Sequence, residues 1–361
     1  MYDSLWRWME ACYLQALHEH DQQQIALIQR VEESYELCEY LPQQAINTLE
    51  TGRAAAQALG AGCWVLVFDL LLAEMYLFHM VDNNSALDIT AKAVVEARKP
   101  QYEQCPARLP LINTLIHTYS VIDPYGYSAQ ILDLIRYAQQ DINSDPVTHF
   151  DLELSRAKIH VVLGETDTAK TLAMKGLAHD SRFIVFNTHV VLCHIMRETQ
   201  QHAQGLQYAH NGIALLDQAE LSNPNQMLSL LWSYVALFAL HAGDPDEAES
   251  FYRRAEASES LLHVKPYYNV PDVLSSYQQS KAKYDEALQL RHRHLSEAEA
   301  AGSRYAACVA RVRLCRLLGV MGEDTALQTE LAQARKAAEA LQKPDKILGM
   351  LNRVANGDYS E

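Results

Sequence analysis

Apolar positions along this chain recur at helical spacing. The first stretch, Asp3 to Glu19, places Leu5, Trp6, Met9, Cys12, Tyr13 and Ala16 on one stripe, the three- and four-residue steps of an amphipathic helix. Further on the pattern becomes a repeat. An apolar helix is followed by a short turn, then by a second helix with a small residue near its start and another seven positions later. Leu163-Gly164-Glu165 precedes Ala169 and Gly176; Ala242-Gly243-Asp244 precedes Ala248 and Ala255; Asn83-Asn84 precedes Ala86 and Ala93. Carried along the chain, the leading small residue falls at Ala45, Ala86, Ala129, Ala169, Gly205, Ala248, Ala287 and Ala326, in steps of 36 to 43 residues. Eight helix pairs account for most of the sequence.

Residues seven apart lie on one helix face, two turns on, and two helices approach closely where that face is small. Gly52, Ala93, Gly176, Gly212 and Ala255 supply the second small contact, whereas Arg136, His294 and Gln333 stand there in the other three units. Prolines 42, 100, 106, 124, 146, 224, 245 and 266 fall at expected helix junctions, as the fixed ring and missing donor require. Asp244-Pro245-Asp246-Glu247 combines an N-cap, a proline at the first helical position and acids in the first turn. The pattern predicts Gly164, Gly243 and Asn83 in turns inside pairs. It predicts one all-helical solenoid over 1–356: a capping helix over 1–20, eight pairs over 21–342, a second cap over 344–356, and a frayed tail from Gly357 to Glu361.

The small, small and aromatic positions resemble the tetratricopeptide repeat. Ala236, Gly243, Ala248, Tyr252 and Ala255 carry the likeness best, and Ala157, Gly164, Ala169 and Gly176 next. The period exceeds that family's usual 34 residues and is similar to the extended repeats in sensor and regulatory domains of bacterial signalling proteins, including LuxR-type regulators and peptide-pheromone receptors. The resemblance implies a right-handed α-α superhelix whose first helices line a concave groove. It implies a scaffold for protein or peptide partners and leaves the partner unspecified.

Composition agrees with helix: 49% of residues are hydrophobic and only 14 are Gly and 11 Pro. The net charge of −15 argues against nucleic acid as partner. The acid is concentrated in residues 1–243, with 14 Lys/Arg against 27 Asp/Glu. Seven scattered cysteines without a C-x-x-C pair read as reduced core thiols of a cytoplasmic protein. Ala61 to Val81 is apolar enough to suggest a membrane span, but Asp69, Glu74 and His79 interrupt it, so it reads as a core helix and no membrane partner is expected.

No nucleotide-binding, nucleophile-elbow or zinc-protease motif is present. His189 and Cys193 have a chelating spacing, but packing is the simpler reading, so no metal or cofactor is expected. Spacing from the turns nominates residues on the exposed sides of the first helices: Asp151, Ser155 and Lys158; Asn187, His194 and Arg197; Ser233 and Tyr234; Asn269, Asp272 and Ser276; and Arg311. Of these, Lys158, Asn187, His194, Arg197, Tyr234, Asn269 and Arg311 are the candidate partner-binding set. Amides can bond a peptide backbone, and Arg or Lys can hold a carboxylate. The arginines 304, 311, 313 and 316 either face an acidic partner or pair with Glu297, Glu299 and Glu323. The expected function is a non-enzymatic scaffold or adaptor. Two alternatives stand: a peptide-sensing module acting on a separate effector, and, more remotely, an all-helical enzyme. The oligomeric state is left open.

Overall fold

The computed structural model describes residues 3–140, 146–216, 226–261 and 270–360. Among them are eighteen α-helices and no β-strand. Two helices stand at the ends, α1 (Asp3–Glu19) and α18 (Asp345–Ala355), and the sixteen between fall into eight consecutive pairs. The pairs are α2 (Gln22–Leu37) with α3 (Pro42–Ala58), α4 (Gly62–Glu74) with α5 (Asn83–Ala97), and α6 (Arg108–Ile122) with α7 (Ser128–Gln139). Then come α8 (Pro146–Leu163) with α9 (Thr166–Met174), α10 (Arg182–Glu198) with α11 (His202–Ile213), and α12 (Gln226–Ala242) with α13 (Pro245–Leu261). The last two are α14 (Val270–Ser280) with α15 (Tyr284–Ala300), and α16 (Arg304–Met321) with α17 (Asp324–Glu339). The chain divides into two compact units, one of 1–119 and 133–148, the other of 120–132 and 149–361.

In six pairs the inner turn is built one way. A residue with positive φ ends the first helix: Val81, Gly164, Gln200, Gly243, Ala282 or Gly322. In five of the six, the next residue donates its N–H to a carbonyl five positions back, for example Asp244 to Ala239 at 2.9 Å and Lys283 to Gln278 at 2.9 Å. This closure satisfies carbonyls that the last helical turn leaves open. Gly164 and Gly243 sit in these turns as expected. Asn83 does not: it is the buried first residue of α5, and the turn is made by Val81 and the N-cap Asp82 after a π-helical turn over Met75–Met80.

The small-contact positions at Ala45, Ala86, Ala169, Ala248 and Ala287 are fully buried. Gly205 shows why size matters, since a Cβ built there would lie 2.6 Å from the Phe238 ring. Two positions differ from expectation. Ala129 and Ala326 are exposed, and the buried pairs seven apart are Ile131 with Ala138 and Leu327 with Ala334. The register there is shifted by two residues and by one, because a large side chain takes the leading contact and a search for small residues passes over it.

The apolar stretch Gly62–Met80 is long and apolar enough to cross a membrane by length and composition, but 61% of its window is buried inside the protein. Asp69 within it is 5% exposed and meets Arg53 Nε of α3 at 2.6 Å. This is a core helix of the first unit. In α1, Leu5, Met9 and Ala16 are buried, whereas Trp6 and Tyr13 remain over a third exposed, Trp6 against Tyr35 with ring centroids 4.9 Å apart. The capping stripe is narrower than the sequence suggested. Cys63 and Cys105 form a disulfide, with Cα atoms 5.7 Å apart, which corrects the reading of all seven cysteines as thiols; the other five are free. At the other end Tyr359 packs into the last core cluster against Gly319, so the tail is docked through that residue rather than frayed.

Candidate functional site

The second unit holds a buried polar network contributed by the first helices of four successive pairs and by α15. At its centre is Asp272 in the first turn of α14, wholly buried. Arg197 of α10 donates to its carboxylate at 2.7 Å, and Arg291 of α15 and Arg313 of α16 also donate to it. His294 Nδ1 lies 3.7 Å away. Arg197 and Arg291 both reach the Ser276 hydroxyl, at 3.0 and 3.2 Å. Arg313 also donates to Glu198 at 3.3 Å, joining α16 to α10 across 115 residues of sequence. Tyr234 of α12 adds a phenol 3.4 Å from His194 Nδ1.

Charge explains the protonation states. Burial by itself would raise the Asp272 pKa, but Arg197, Arg313 and Arg291 outweigh it and hold the carboxyl well below the usual range. Glu198 is likewise pushed up by burial and brought below its ordinary value by Arg313, His194 and Arg197. Burial lowers His194, and lowers His294 to about 4, so both imidazoles are neutral at pH 7. Three guanidiniums therefore face two carboxylates. The part of the cluster around Asp272, Arg197 and Arg291 is withdrawn from water and is held in one geometry by mutual pairing, because losing a partner strands a buried charge.

Lys158 of α8 occupies a different setting. Its side chain is exposed; desolvation lowers the ammonium pKa against the raising influence of Asp151 two turns earlier. No hydrogen bond or ion pair holds it among the described residues. The last helix returns to this place: Lys346 of α18 donates to the Val162 carbonyl at the end of α8. Lys343 donates to Ser128 at 3.2 Å and the Gln342 N–H to Asp123 at 3.4 Å. Tyr125 lies against Tyr305, with ring centroids 6.3 Å apart. The end of the second unit thus touches its own beginning through contacts 184 to 219 residues apart in sequence.

Of the nominated residues, Arg197, His194, Tyr234, Asp272 and Ser276 come together in the network. Asn187 is half-buried on α10, two turns before His194 on the same face. Lys158, Asp151 and Ser155 share one face of α8. Ser233 is buried and bonds within its own helix, to the Leu230 carbonyl at 2.7 Å. Arg311 is placed elsewhere, bridging Glu299 of α15 and Glu330 of α17, so that part of the arginine stripe serves pairing between helices. Asn269 lies outside the described residues. Cys193 of the suggested His189–Cys193 pair is buried, its thiol donating to the Gly205 carbonyl at 3.8 Å, and the His189 ring lies by Tyr208. Arg313, Arg291, Glu198 and Lys346 were not singled out for this site. Arg313 was visible only as one of four arginines, and nothing local marks Lys346, whose neighbours arrive from the far end of the unit.

No known family description matches the chain, and no curated protein matches it in sequence. Solved structures do. The apo form of the quorum sensor NprR from B. thuringiensis superimposes with a TM-score of 0.61 at 12% identity, over 90% of this chain and 91% of that one. A Rap protein complexed with competence and sporulation factor gives 0.52 at 13% identity, over 92% and 95%. At such identities the likeness is one of fold, and the fold is the tetratricopeptide-like helical array that the repeat pattern implied.

Proposed function

We propose, starting from this tetratricopeptide-like array, that the chain is a non-enzymatic scaffold that holds a peptide or a segment of a partner protein on the first helices of its second unit. The observation that carries this is the convergence of α10, α12, α14 and α16 on one polar network, with Lys158 of α8 beside solvent. Four first helices presenting hydrogen-bonding groups to a common region suit an extended ligand that spans several repeats. The rigid ion cluster underneath fixes donors and acceptors in advance, which lowers the ordering cost of binding. The solved Rap protein is complexed with competence and sporulation factor, so an array of this fold can hold another molecule; we extend that to a peptide-responsive module acting on a separate effector. Neither nucleic acid nor membrane is the partner we expect.

The test is selection of a displayed random-peptide library on the whole chain, followed by affinity measurement of the selected sequences for wild type, Asn187→Ala and the exposed α9-side control Lys175→Ala. Loss of about tenfold at Asn187, where an amide would bond peptide backbone, with the control unchanged, supports the site. Enrichment of no sequence, or loss in the control alone, removes it. We place the protein in the cytoplasm, which fits its five free cysteines. The Cys63–Cys105 bridge would then be open to reduction, and alkylation before purification reads its state directly.

A further inference from the structure

The cysteine pair of the first unit stands apart from the other five cysteines. Burial raises the pKa values of the free thiols Cys12, Cys38, Cys193, Cys308 and Cys315, so little of the reactive thiolate form is present on them. Cys63 is placed differently. It is the second residue of α4, where the N-cap Ala61 provides no side-chain acceptor, and the positive end of a helix favours negative charge on a sulfur beside it. Its side chain is partly exposed, whereas Cys105 is 8% exposed. One sulfur can therefore meet a small thiol or disulfide from solution while the other is shielded behind it. The bridge between them joins the first turn of α4 to the segment between α5 and α6, across 42 residues of sequence. Tyr102 of that segment packs against Gly62, so closely that a side chain at 62 would collide with its hydroxyl. Within the segment the Cys105 N–H donates to the Tyr102 carbonyl at 3.0 Å, and the Arg108 N–H to the Cys105 carbonyl at 3.1 Å. The bridge adds a covalent tie to α4, and breaking it returns conformational freedom to the loop it closes.

We propose that Cys63 and Cys105 are a reversible thiol–disulfide switch of the first unit, opened by small thiols and closed by their disulfides, with Cys63 as the attacking sulfur and Cys105 as the resolving one. Ligand binding by the second unit plays no part in it. In closing, the Cys63 thiolate attacks one sulfur of a low-molecular-weight disulfide, RSSR; its S–S bond breaks, RS⁻ leaves, and a mixed disulfide forms on Cys63. Cys105, as its thiolate, then attacks the Cys63 sulfur, expels the second RS⁻ and completes the bridge. The two thiol protons pass to the two RS⁻ groups, so the electron pair given up by the cysteines reduces RSSR to two RSH. Opening is the reverse, with RSH as the reductant. The closed form restrains residues 98–107 against α4, and the open form releases them.

The whole chain is equilibrated in buffers of glutathione and its disulfide, from strongly reducing to strongly oxidising. Remaining thiols are then alkylated, and peptide mass spectrometry measures the bridge. It forms and opens reversibly across the series. Oxidised wild type melts on the order of 5 °C or more above reduced wild type, and its amides over 98–107 exchange hydrogen more slowly; both comparisons use the unaltered sequence. Cys105→Ser treated with glutathione disulfide keeps an adduct on Cys63, whereas the shielded Cys105 of Cys63→Ser takes up little. An adduct as abundant on Cys105 as on Cys63 overturns the assigned order of attack. A pair that stays reduced in the most oxidising buffer, a bridge that survives the most reducing one, or equal melting and exchange in the two states overturns the switch.

Discussion

Backbone and charge at single positions carry costs that the fold tolerates. Ala282 and Gln200 hold the left-handed conformation that Gly164, Gly243 and Gly322 hold in the same turn. A side chain in that conformation is unfavourable by roughly 1 kcal/mol or more. Ala282→Gly is therefore expected to stabilise the protein by up to about 1 kcal/mol, less the entropy that glycine adds to the unfolded chain. The check is the denaturant midpoint beside Gly243→Ala, which should fall. Asp69 gives a pH dependence. Burial raises its pKa from 3.8 to about 6, with Arg53 acting the other way. Its folded pKa is above its unfolded one, so the folded state binds more protons between those values and stability declines as pH rises from about 4 through 6. Asp69→Asn should abolish a loss of about 1 kcal/mol between pH 5 and pH 7, measured as the difference in unfolding free energy between variant and wild type at the two pH values. An identical pH response in both proteins would mean that Asp69 titrates normally.

At the level of elements, the helix pairs depend on small residues at the crossing. Ala248 and Ala255 of α13 are fully buried, so Ala248→Leu should overpack the pair and cost about 1–3 kcal/mol. A neighbouring exposed position is the proper comparison, and Glu249 does not serve. Lys281 at 2.9 Å and Tyr277 at 2.9 Å hold its carboxylate, and these bonds take its pKa down to about 2. Ser250 is exposed, and Ser250→Leu should be near neutral. Equal denaturant midpoints for Ala248→Leu and Ser250→Leu would refute close packing at this crossing. The helices themselves were legible because periodicity, turns and prolines are local signals. The slips at Ala129 and Ala326 arose where Ile131 and Leu327 take the leading contact, since the identity of that residue depends on the facing helix.

Across the whole molecule, the candidate site was readable in part. Counting back from each turn nominated one side each of α8, α10, α12, α14 and α16, and Arg197, His194, Tyr234, Asp272 and Ser276 of these do meet in one network. The same counting placed Arg311 with them, although its partners are Glu299 and Glu330. A helix two positions on has rotated by more than half a turn, so Arg313 faces Asp272 and Arg311 does not. The Cys63–Cys105 bridge and the return of α18 to α8 lay beyond any local pattern.

The sequence by itself determined that this is an all-helical repeat array, that eight pairs follow one another among the described residues, and where most of them turn. Helical periodicity, proline stereochemistry and the small contacts at crossings act over a few residues and are written into the order of amino acids. Only the tertiary structure decided which charges neutralise one another. Arg197, Arg291, Arg313 and Asp272 come from four helices, and an ion pair is set by distance and desolvation in space. Tertiary structure likewise assigned Arg311 to Glu299 and Glu330, and Arg313 to Asp272 and Glu198.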